Sequence, residues 1–173
     1  MPASKKSGAR NIAGANAPER VERLVLTNTS GYYADKTAWN DRLKLVGEKG
    51  VAAFATANME RWFTKQFRER APETVAWLRE MFTATPLDGY LACGEAVRDM
   101  DHRDLLPKIK APTLVVAGKY DPATPPEANE YIRDHIPGAR YTVLEAAHIS
   151  NVEQPDAYTK AVLRFLLDRS GPP

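Results

Sequence analysis

The sequence predicts an α/β fold, in which a short parallel sheet has flanking helices and one helical insertion. Three short apolar segments have the composition of buried strands. Helical patterns follow the second and third segments, which gives the strand–helix–strand–helix order of a parallel sheet with crossover helices. The stretch from Thr37 to Arg98, between the first and second segments, contains only helical patterns, so it is predicted to be an insertion.

The predicted strands are Leu24–Thr27, Thr113–Ala117 and Tyr141–Leu144. None of them alternates strictly between apolar and polar residues, which is typical of strands that are covered on both faces of a parallel sheet. Consecutive parallel strands need a crossover connection, and such connections are right-handed in nearly all proteins.

Two amphipathic helices are predicted to cover the sheet, from Pro125 to Ile136 and from Pro155 to Asp168. Prolines favour the first turn of a helix, and Pro137-Gly138 ends the first of the two. The apolar residues of each helix recur at helical spacing on one face. They are Ala128, Tyr131, Ile132 and Ile136 in the first helix, and Tyr158, Val162, Phe165 and Leu166 in the second.

These elements predict three regions along the chain. Residues 1–13 form an atypical basic tail, residues 14–36 and 101–169 form the α/β core, and residues 37–100 form the helical insertion. The tail is not followed by the apolar segment that a secretory signal contains, so a cytoplasmic location is expected.

The composition argues against several classes of protein. The 24 Lys and Arg residues against 22 Asp and Glu give a net charge of +2, and 43% of the residues are hydrophobic. This balance is typical of a soluble globular domain and argues against intrinsic disorder and a nucleic-acid partner. No apolar run approaches the roughly 20 residues of a membrane-spanning helix. The single cysteine, Cys93, excludes an internal disulfide framework and is expected to be buried as a small hydrophobic residue.

Two chemically active residues follow neighbouring predicted strands. Asp121 comes after the second strand, and His148 comes after the third. Because the carboxyl ends of parallel strands lie at one edge of the sheet, where ligands bind in open α/β folds, the two side chains are expected to meet. A carboxylate that accepts the Nδ1–H of an imidazole fixes its tautomer and leaves Nε2 to act as a general base.

Each of these residues also has a more ordinary explanation when it is considered alone. An aspartate after a strand is usually a turn or helix-capping residue, and a histidine is usually packed or solvated. The order of the two residues and their positions at adjacent strand ends favour the catalytic interpretation, so Asp121 and His148 are the predicted catalytic pair. His102, in a charged connector, and His135, near the end of a helix, are weaker candidates.

Six segments of the chain resemble the C-terminal part of the α/β-hydrolase family, and in particular its 3-oxoadipate enol-lactonases. They are Asn16–Val21, Leu24–Thr29, Met59–Thr64, Ala111–Gly118, Tyr120-Asp121 and Ala147–Glu153. The resemblance implies that Asp121 and His148 are the acid and base of a Ser–Asp–His triad and that the insertion is a cap over the substrate pocket. The implied reaction is hydrolysis of 3-oxoadipate enol-lactone to 3-oxoadipate in the protocatechuate branch of aromatic catabolism, with no cofactor and no metal.

The serine of such a triad is expected in a Gly-x-Ser-x-Gly turn upstream of the acid and the base. The chain contains Ser4, Ser7, Ser30, Ser150 and Ser170, and none of them lies in that motif. The backbone donors of the oxyanion hole are also expected upstream. Because the loss of one such donor lowers the rate by about 10²–10³-fold, the chain alone is expected to be inactive or nearly so.

Trp62 is the predicted substrate-binding residue. It is expected either to wall the pocket for a small lactone ring or to pack within an amphipathic helix. The neighbouring Arg61 is a candidate bidentate donor to a substrate carboxylate, although a solvated Arg61 and a packed Phe63 are favoured.

Other hypotheses about function and partners stay open. The expected ligand is a small lactone or ester, with no nucleic-acid or membrane partner. The chain fits another capped hydrolase with the same pair, such as an esterase or a carbon–carbon hydrolase. It also fits a truncated copy of a hydrolase, or a non-catalytic fragment that pairs with a separate N-terminal half, or with itself, through the open edge of the first strand.

Overall fold

The computed structural model describes residues 9–168, and within them it contains three strands and the helices that surround them. The strands are β1 (Leu24–Thr27), β2 (Thr113–Gly118) and β3 (Arg140–Leu144). The helices are α1 (Ala9–Asn16), α2 (Thr37–Lys49), α3 (Ala55–Trp62), α4 (Lys65–Arg70), α5 (Pro72–Thr83), α6 (Leu87–Arg98), α7 (Pro126–His135), α8 (Ser150–Glu153) and α9 (Pro155–Leu167). No helix of the described residues is long and apolar enough to cross a membrane.

The sheet is parallel and has the strand order β1-β2-β3, which confirms the predicted α/β class. Leu24 of β1 is in register with Thr113 of β2, and Leu114 of β2 is in register with Arg140 of β3. All six residues of the central strand are buried, as its uninterrupted apolar sequence predicts. The predicted strands agree with the observed ones to within one residue at each end.

Successive residues of β2 face opposite sides of the sheet, and each side has its own apolar cluster. Val115 faces the side of α7, where the cluster contains Leu24, Leu26, Leu106, Ile109, Ile132 and Ile136. Leu114 and Val116 face the side of α9, where the cluster contains Leu144, Ala146 and Phe165. The sheet is therefore covered on both faces by the two helices that the sequence predicts.

The predicted apolar face of α9 is wrong at one position. Phe165 is 3% exposed, but Leu166 is 42% exposed. Because consecutive residues of a helix are about 100° apart, the orientation that buries Phe165 against the sheet turns Leu166 away from it.

Helices α2 to α6 connect β1 to β2 and pack around a separate apolar cluster. This cluster contains Val46, Val51, Ala55, Met59, Phe63, Phe67 and Phe82. The expectation that Cys93 is buried is wrong, because α6 buries the adjacent Gly94 against α2 and leaves Cys93 exposed. Of the predicted basic tail, residues 1–8 lie outside the described residues, and the remainder begins α1.

Candidate active site

The segments that follow β2 and β3 are held together at the carboxyl edge of the sheet. The amide of Lys119 donates to the carbonyl of Leu144 at 2.9 Å, and the amide of Tyr120 donates to the carbonyl of Ala146 at 3.0 Å. Gly118 permits this approach, because a Cβ atom there would lie 2.2 Å from the carbonyl oxygen of Ala147. Only glycine fits where two backbones come this close.

Asp121 and His148 meet at this edge. Nδ1 of His148 lies 2.8 Å from Oδ2 of Asp121, which is the distance of a charge-assisted hydrogen bond. The aspartate is 2% exposed, and the histidine is half-buried. Nε2 of His148 makes no hydrogen bond with the described residues. The structure therefore brings the two predicted residues together, with the second ring nitrogen left to exchange a proton.

The Asp121 carboxylate is surrounded by donors from its own loop. Oδ1 accepts hydrogen bonds from the amides of Ala123 at 2.8 Å and Thr124 at 3.0 Å, and Oδ2 accepts one from the Thr124 hydroxyl at 2.7 Å. Burial would raise the pKa of Asp121, but the hydrogen bonds from His148 and Thr124 outweigh burial and hold the pKa below its ordinary value. The carboxylate is therefore ionised at neutral pH, as an acid that stabilises an imidazolium must be.

Asn28 and Ser150 also support the carboxylate, and the sequence analysis missed both. The Nδ2 group of Asn28 donates to Oδ2 of Asp121 at 3.0 Å and to the carbonyl of Ala147 at 3.2 Å. Its Oδ1 accepts from the Ser150 hydroxyl at 2.5 Å. Asn28 directly follows β1 with a φ of 45°, a left-handed conformation that asparagine tolerates better than most residues. A polar residue at the end of a strand is the same signal that identifies Asp121.

Glu153 joins the insertion to the loop of residues 145–149, which contains His148 and is called the histidine loop below. The role of Glu153 was likewise not predicted. Its side chain is 3% exposed, and Oε2 accepts hydrogen bonds from the amides of Ala147 at 3.0 Å and Thr64 at 3.3 Å. The Thr64 hydroxyl donates to Oε1. This carboxylate holds the residue before His148 against the segment that follows α3. No local sequence signal indicates the role, because Thr64 is 89 residues away along the chain.

The predicted substrate-binding residue, Trp62, lies at the end of α3 next to the histidine loop. Its carbonyl accepts a hydrogen bond from the Ile149 amide at 3.0 Å. Its ring is half-buried and packs edge-on against Phe82, with 5.6 Å between the ring centroids. Contact between this ring and a substrate stays a prediction.

The other two histidines lie apart from the pair. His102 is buried and its Nε2 has no hydrogen-bond partner within residues 9–168, while His135 stacks on Tyr131 on the face of α7. Among the residues that the structure describes, no group of three His, Cys, Asp or Glu side chains is arranged to hold a metal ion.

Comparison with known proteins places this fold in one class. Residues 81–173 match an α/β-hydrolase family model described as TAP-like protein. The chain is 39% identical over 145 residues to 3-oxoadipate enol-lactonase 2 of Acinetobacter baylyi, covering 84% of this chain and 54% of that protein. The chain thus spans about half the length of the curated relatives it matches.

Solved structures show the same relation. The enol-lactonase from Burkholderia xenovorans LB400 is 37% identical and superimposes with a TM-score of 0.89, covering 92% of this chain and 61% of that one. A thermophilic esterase from Thermogutta terrifontis, solved with malate bound, is 27% identical with a TM-score of 0.81, covering 91% of this chain and 61% of that one. The fold is therefore the C-terminal part of an α/β-hydrolase. The chain belongs to the TAP-like group of the α/β-hydrolase family, and it is similar to 3-oxoadipate enol-lactonase.

Proposed function

We propose that this chain supplies the acid and the base of a serine hydrolase that opens a small lactone, and that its substrate is 3-oxoadipate enol-lactone. The observation that carries the proposal is the Asp121–His148 pair, in which a buried, ionised carboxylate holds Nδ1 and no residue of the described part of the chain engages Nε2. The likeness to enol-lactonases from two organisms supports the choice of substrate.

In the proposed mechanism, Nε2 of His148 takes the proton of a serine hydroxyl as the serine oxygen attacks the lactone carbonyl. The imidazolium that forms is stabilised by Asp121 and then protonates the departing enol oxygen, which opens the ring and leaves an acyl-enzyme. A water molecule then attacks the acyl carbon while His148 takes its proton; the bond to the serine oxygen breaks, His148 returns the proton to that oxygen, and the free acid leaves.

The serine of this mechanism is proposed to come from polypeptide outside the 173 residues. Among the described residues, the Ser30 hydroxyl donates to the Tyr32 carbonyl at 2.6 Å, and the Ser150 hydroxyl donates to Asn28. Neither hydroxyl is bonded to His148. The outer edge of β1 makes no ladder with another described strand, and it is the proposed docking edge for the strand that leads into the nucleophile turn.

The test is complementation: the chain is supplied with the upstream part of a relative, for which this chain has no matching residues. The upstream segment of the Acinetobacter baylyi enol-lactonase 2 is co-expressed with the wild-type chain, with His148→Ala and with Asp121→Asn. Loss of the ultraviolet absorbance of the enol-lactone reports hydrolysis. We expect activity from the wild-type pair, loss of nearly all of it in both variants, and no difference between wild type and His148→Ala without the partner segment.

Two results would contradict parts of this proposal. Hydrolysis by the wild-type chain alone that disappears in His148→Ala would place a nucleophile within the 173 residues. A complex that forms but whose lactone hydrolysis does not depend on His148 would refute the assigned roles of the pair.

An esterase is the second candidate, and the likeness to the Thermogutta terrifontis enzyme favours it. The same pair would act on an acyclic ester. The alcohol of such an ester leaves as a separate molecule, whereas the enol of an opened lactone remains attached to the acid. The two candidates are separated by the hydrolysis rates of the co-expressed pair on the enol-lactone and on 4-nitrophenyl acetate. A specific lactonase hydrolyses the lactone far faster than the ester.

A further inference from the structure

A groove between α2 and α3 contains two arginines and aromatic side chains. Its volume is about 190 Å³, and its lining includes Trp39, Arg42, Leu45, Phe54 and Arg61. The Arg42 guanidinium lies 4.7 Å from the ring centroid of Trp39 and 4.5 Å from that of Phe54. Rings that stack on a guanidinium fix its plane and shield it from water, which strengthens its attraction for an anion.

The two arginines have no anionic partner within residues 9–168. Neither side chain forms an ion pair there, although Asp41 also lines the groove. Arg42 donates one hydrogen bond to the Tyr90 hydroxyl. Burial lowers the pKa of Arg42, and the nearby positive charge of Arg61 lowers it further. Two like charges so placed repel each other unless an anion lies between them.

A buried donor without an acceptor among the described residues lies on the same helix as Arg61. Asn58 is 1% exposed, and its Nδ2 has no hydrogen-bond partner among the described residues. It precedes Arg61 by three residues on α3, so both residues are on one face of that helix. Buried donors are nearly always paired, so the unpaired amide adds to the surplus of donors along this face.

Tyr33 connects this groove to the Asp121–His148 pair. Burial raises the pKa of Tyr33 above its ordinary value. The negative charge of Asp121 also raises this pKa, whereas the positive charges of Arg61 and Arg42 lower it. The Tyr33 ring packs edge-on against Trp39 of the groove, with 5.8 Å between the ring centroids. Tyr33 also lines a cavity together with Thr124, whose hydroxyl donates to Asp121. The next residue after Arg61, Trp62, bonds through its carbonyl to the histidine loop.

We propose that the Arg42–Arg61 groove binds a free carboxylate of the substrate, so that the hydrolase selects small lactones or esters that carry an acid group. This inference rests on the proposed function, since the Asp121–His148 pair defines the bond that is broken. An enol-lactone of 3-oxoadipate fits the requirement, because one carboxyl group closes the ring and the other stays ionised. A guanidinium binds that group through two parallel hydrogen bonds.

The test is direct binding to the full 173-residue chain, which needs no nucleophile. Adipate and its neutral analogue adipamide are titrated at constant ionic strength, with calorimetry as the readout and circular dichroism as a check of folding. The variants are Arg61→Gln and Arg61→Lys, and the matched control is Arg79→Gln, an exposed arginine of α5 that makes the same change of charge. The Arg61 side chain makes no hydrogen bond with the described residues, so its variants are expected to fold.

Wild type and Arg79→Gln are expected to bind adipate and to reject adipamide. Arg61→Gln should weaken adipate binding about tenfold or more, and Arg61→Lys by an intermediate factor, because lysine keeps the charge but loses the bidentate geometry. Any one of three results would overturn the inference. The wild-type chain could bind adipate and adipamide equally, Arg61→Gln and Arg79→Gln could bind adipate with equal affinity, or the folded wild type could show no saturable adipate binding. Arg61-dependent binding without lactone hydrolysis by the complemented protein would count against the proposed function alone.

Discussion

Asn28→Ala is the substitution that tests most directly how the Asp121–His148 pair is held in place. Asn28 is 7% exposed and connects three groups: the Asp121 carboxylate, the Ala147 carbonyl and the Ser150 hydroxyl. Alanine removes all three hydrogen bonds and must also adopt the left-handed φ of 45°.

The expected cost follows from these contacts. A hydrogen bond to a charged group contributes about 1.5–3 kcal/mol, and leaving the fully buried Ser150 hydroxyl unpaired costs about 1–3 kcal/mol. The left-handed backbone adds about 1 kcal/mol for a residue such as alanine. Because these effects belong to one network and do not add fully, we expect Asn28→Ala to lower the free energy of unfolding by about 3–5 kcal/mol.

Urea unfolding followed by circular dichroism measures this loss, with Asn151→Ala, an exposed asparagine of α8, as the matched control. Asn28→Gly should recover about 1 kcal/mol of the loss, since glycine accepts the left-handed conformation. The Asn28→Ala/Ser150→Ala double variant should lose less than the sum of the single variants, because it no longer contains an orphaned hydroxyl. A loss in Asn28→Ala of less than about 1 kcal/mol, or strict additivity in the cycle, would refute the network as described.

Three further predictions concern the same edge of the sheet. Glu153→Ala should destabilise the fold by about 2–4 kcal/mol in urea unfolding, because it leaves the amides of Ala147 and Thr64 unpaired. Glu153→Gln keeps an acceptor and should cost less than half as much. Equal losses in the two variants would show that these hydrogen bonds are unimportant for stability. Gly118→Ala should separate the loops, since its Cβ would lie 2.2 Å from the Ala147 carbonyl; unchanged amide NMR shifts at Ala147 would contradict this. The lowered pKa of Asp121 implies a contribution to stability that is present above its ordinary pKa of 3.8 and is lost as the pH falls through the lower folded value. The difference in unfolding free energy between wild type and Asp121→Asn should therefore shrink as the pH falls below about 4; a difference that stays unchanged from pH 5 down to pH 2 would be contrary to this.

The sheet and the Asp121–His148 pair were predictable because their signals are local in the sequence. Each strand is a short segment in which apolar residues predominate, and each polar residue of the pair follows its strand within a few positions. Parallel topology then places the strand ends at one edge without any knowledge of side-chain packing.

The supporting contacts were not predictable, because their partners are distant in sequence. Asn28 is 93 residues from Asp121 and 122 residues from Ser150. Exposure of Leu166 and Cys93 was also missed, since each lies next to a residue of the buried face and apolar spacing alone does not fix the rotation of a helix to within one residue.

The origin of each contact shows how the sheet assembles the hydrogen-bonded group around Asp121. Asn28 follows β1, Asp121 follows β2 and His148 follows β3, so every strand of the sheet contributes one member of the hydrogen-bonded group. The insertion contacts the segment around His148 through Glu153 and the Trp62 carbonyl. Because the strand ends hold the pair, changes in the helices of the insertion are expected to have little effect on the geometry of the pair.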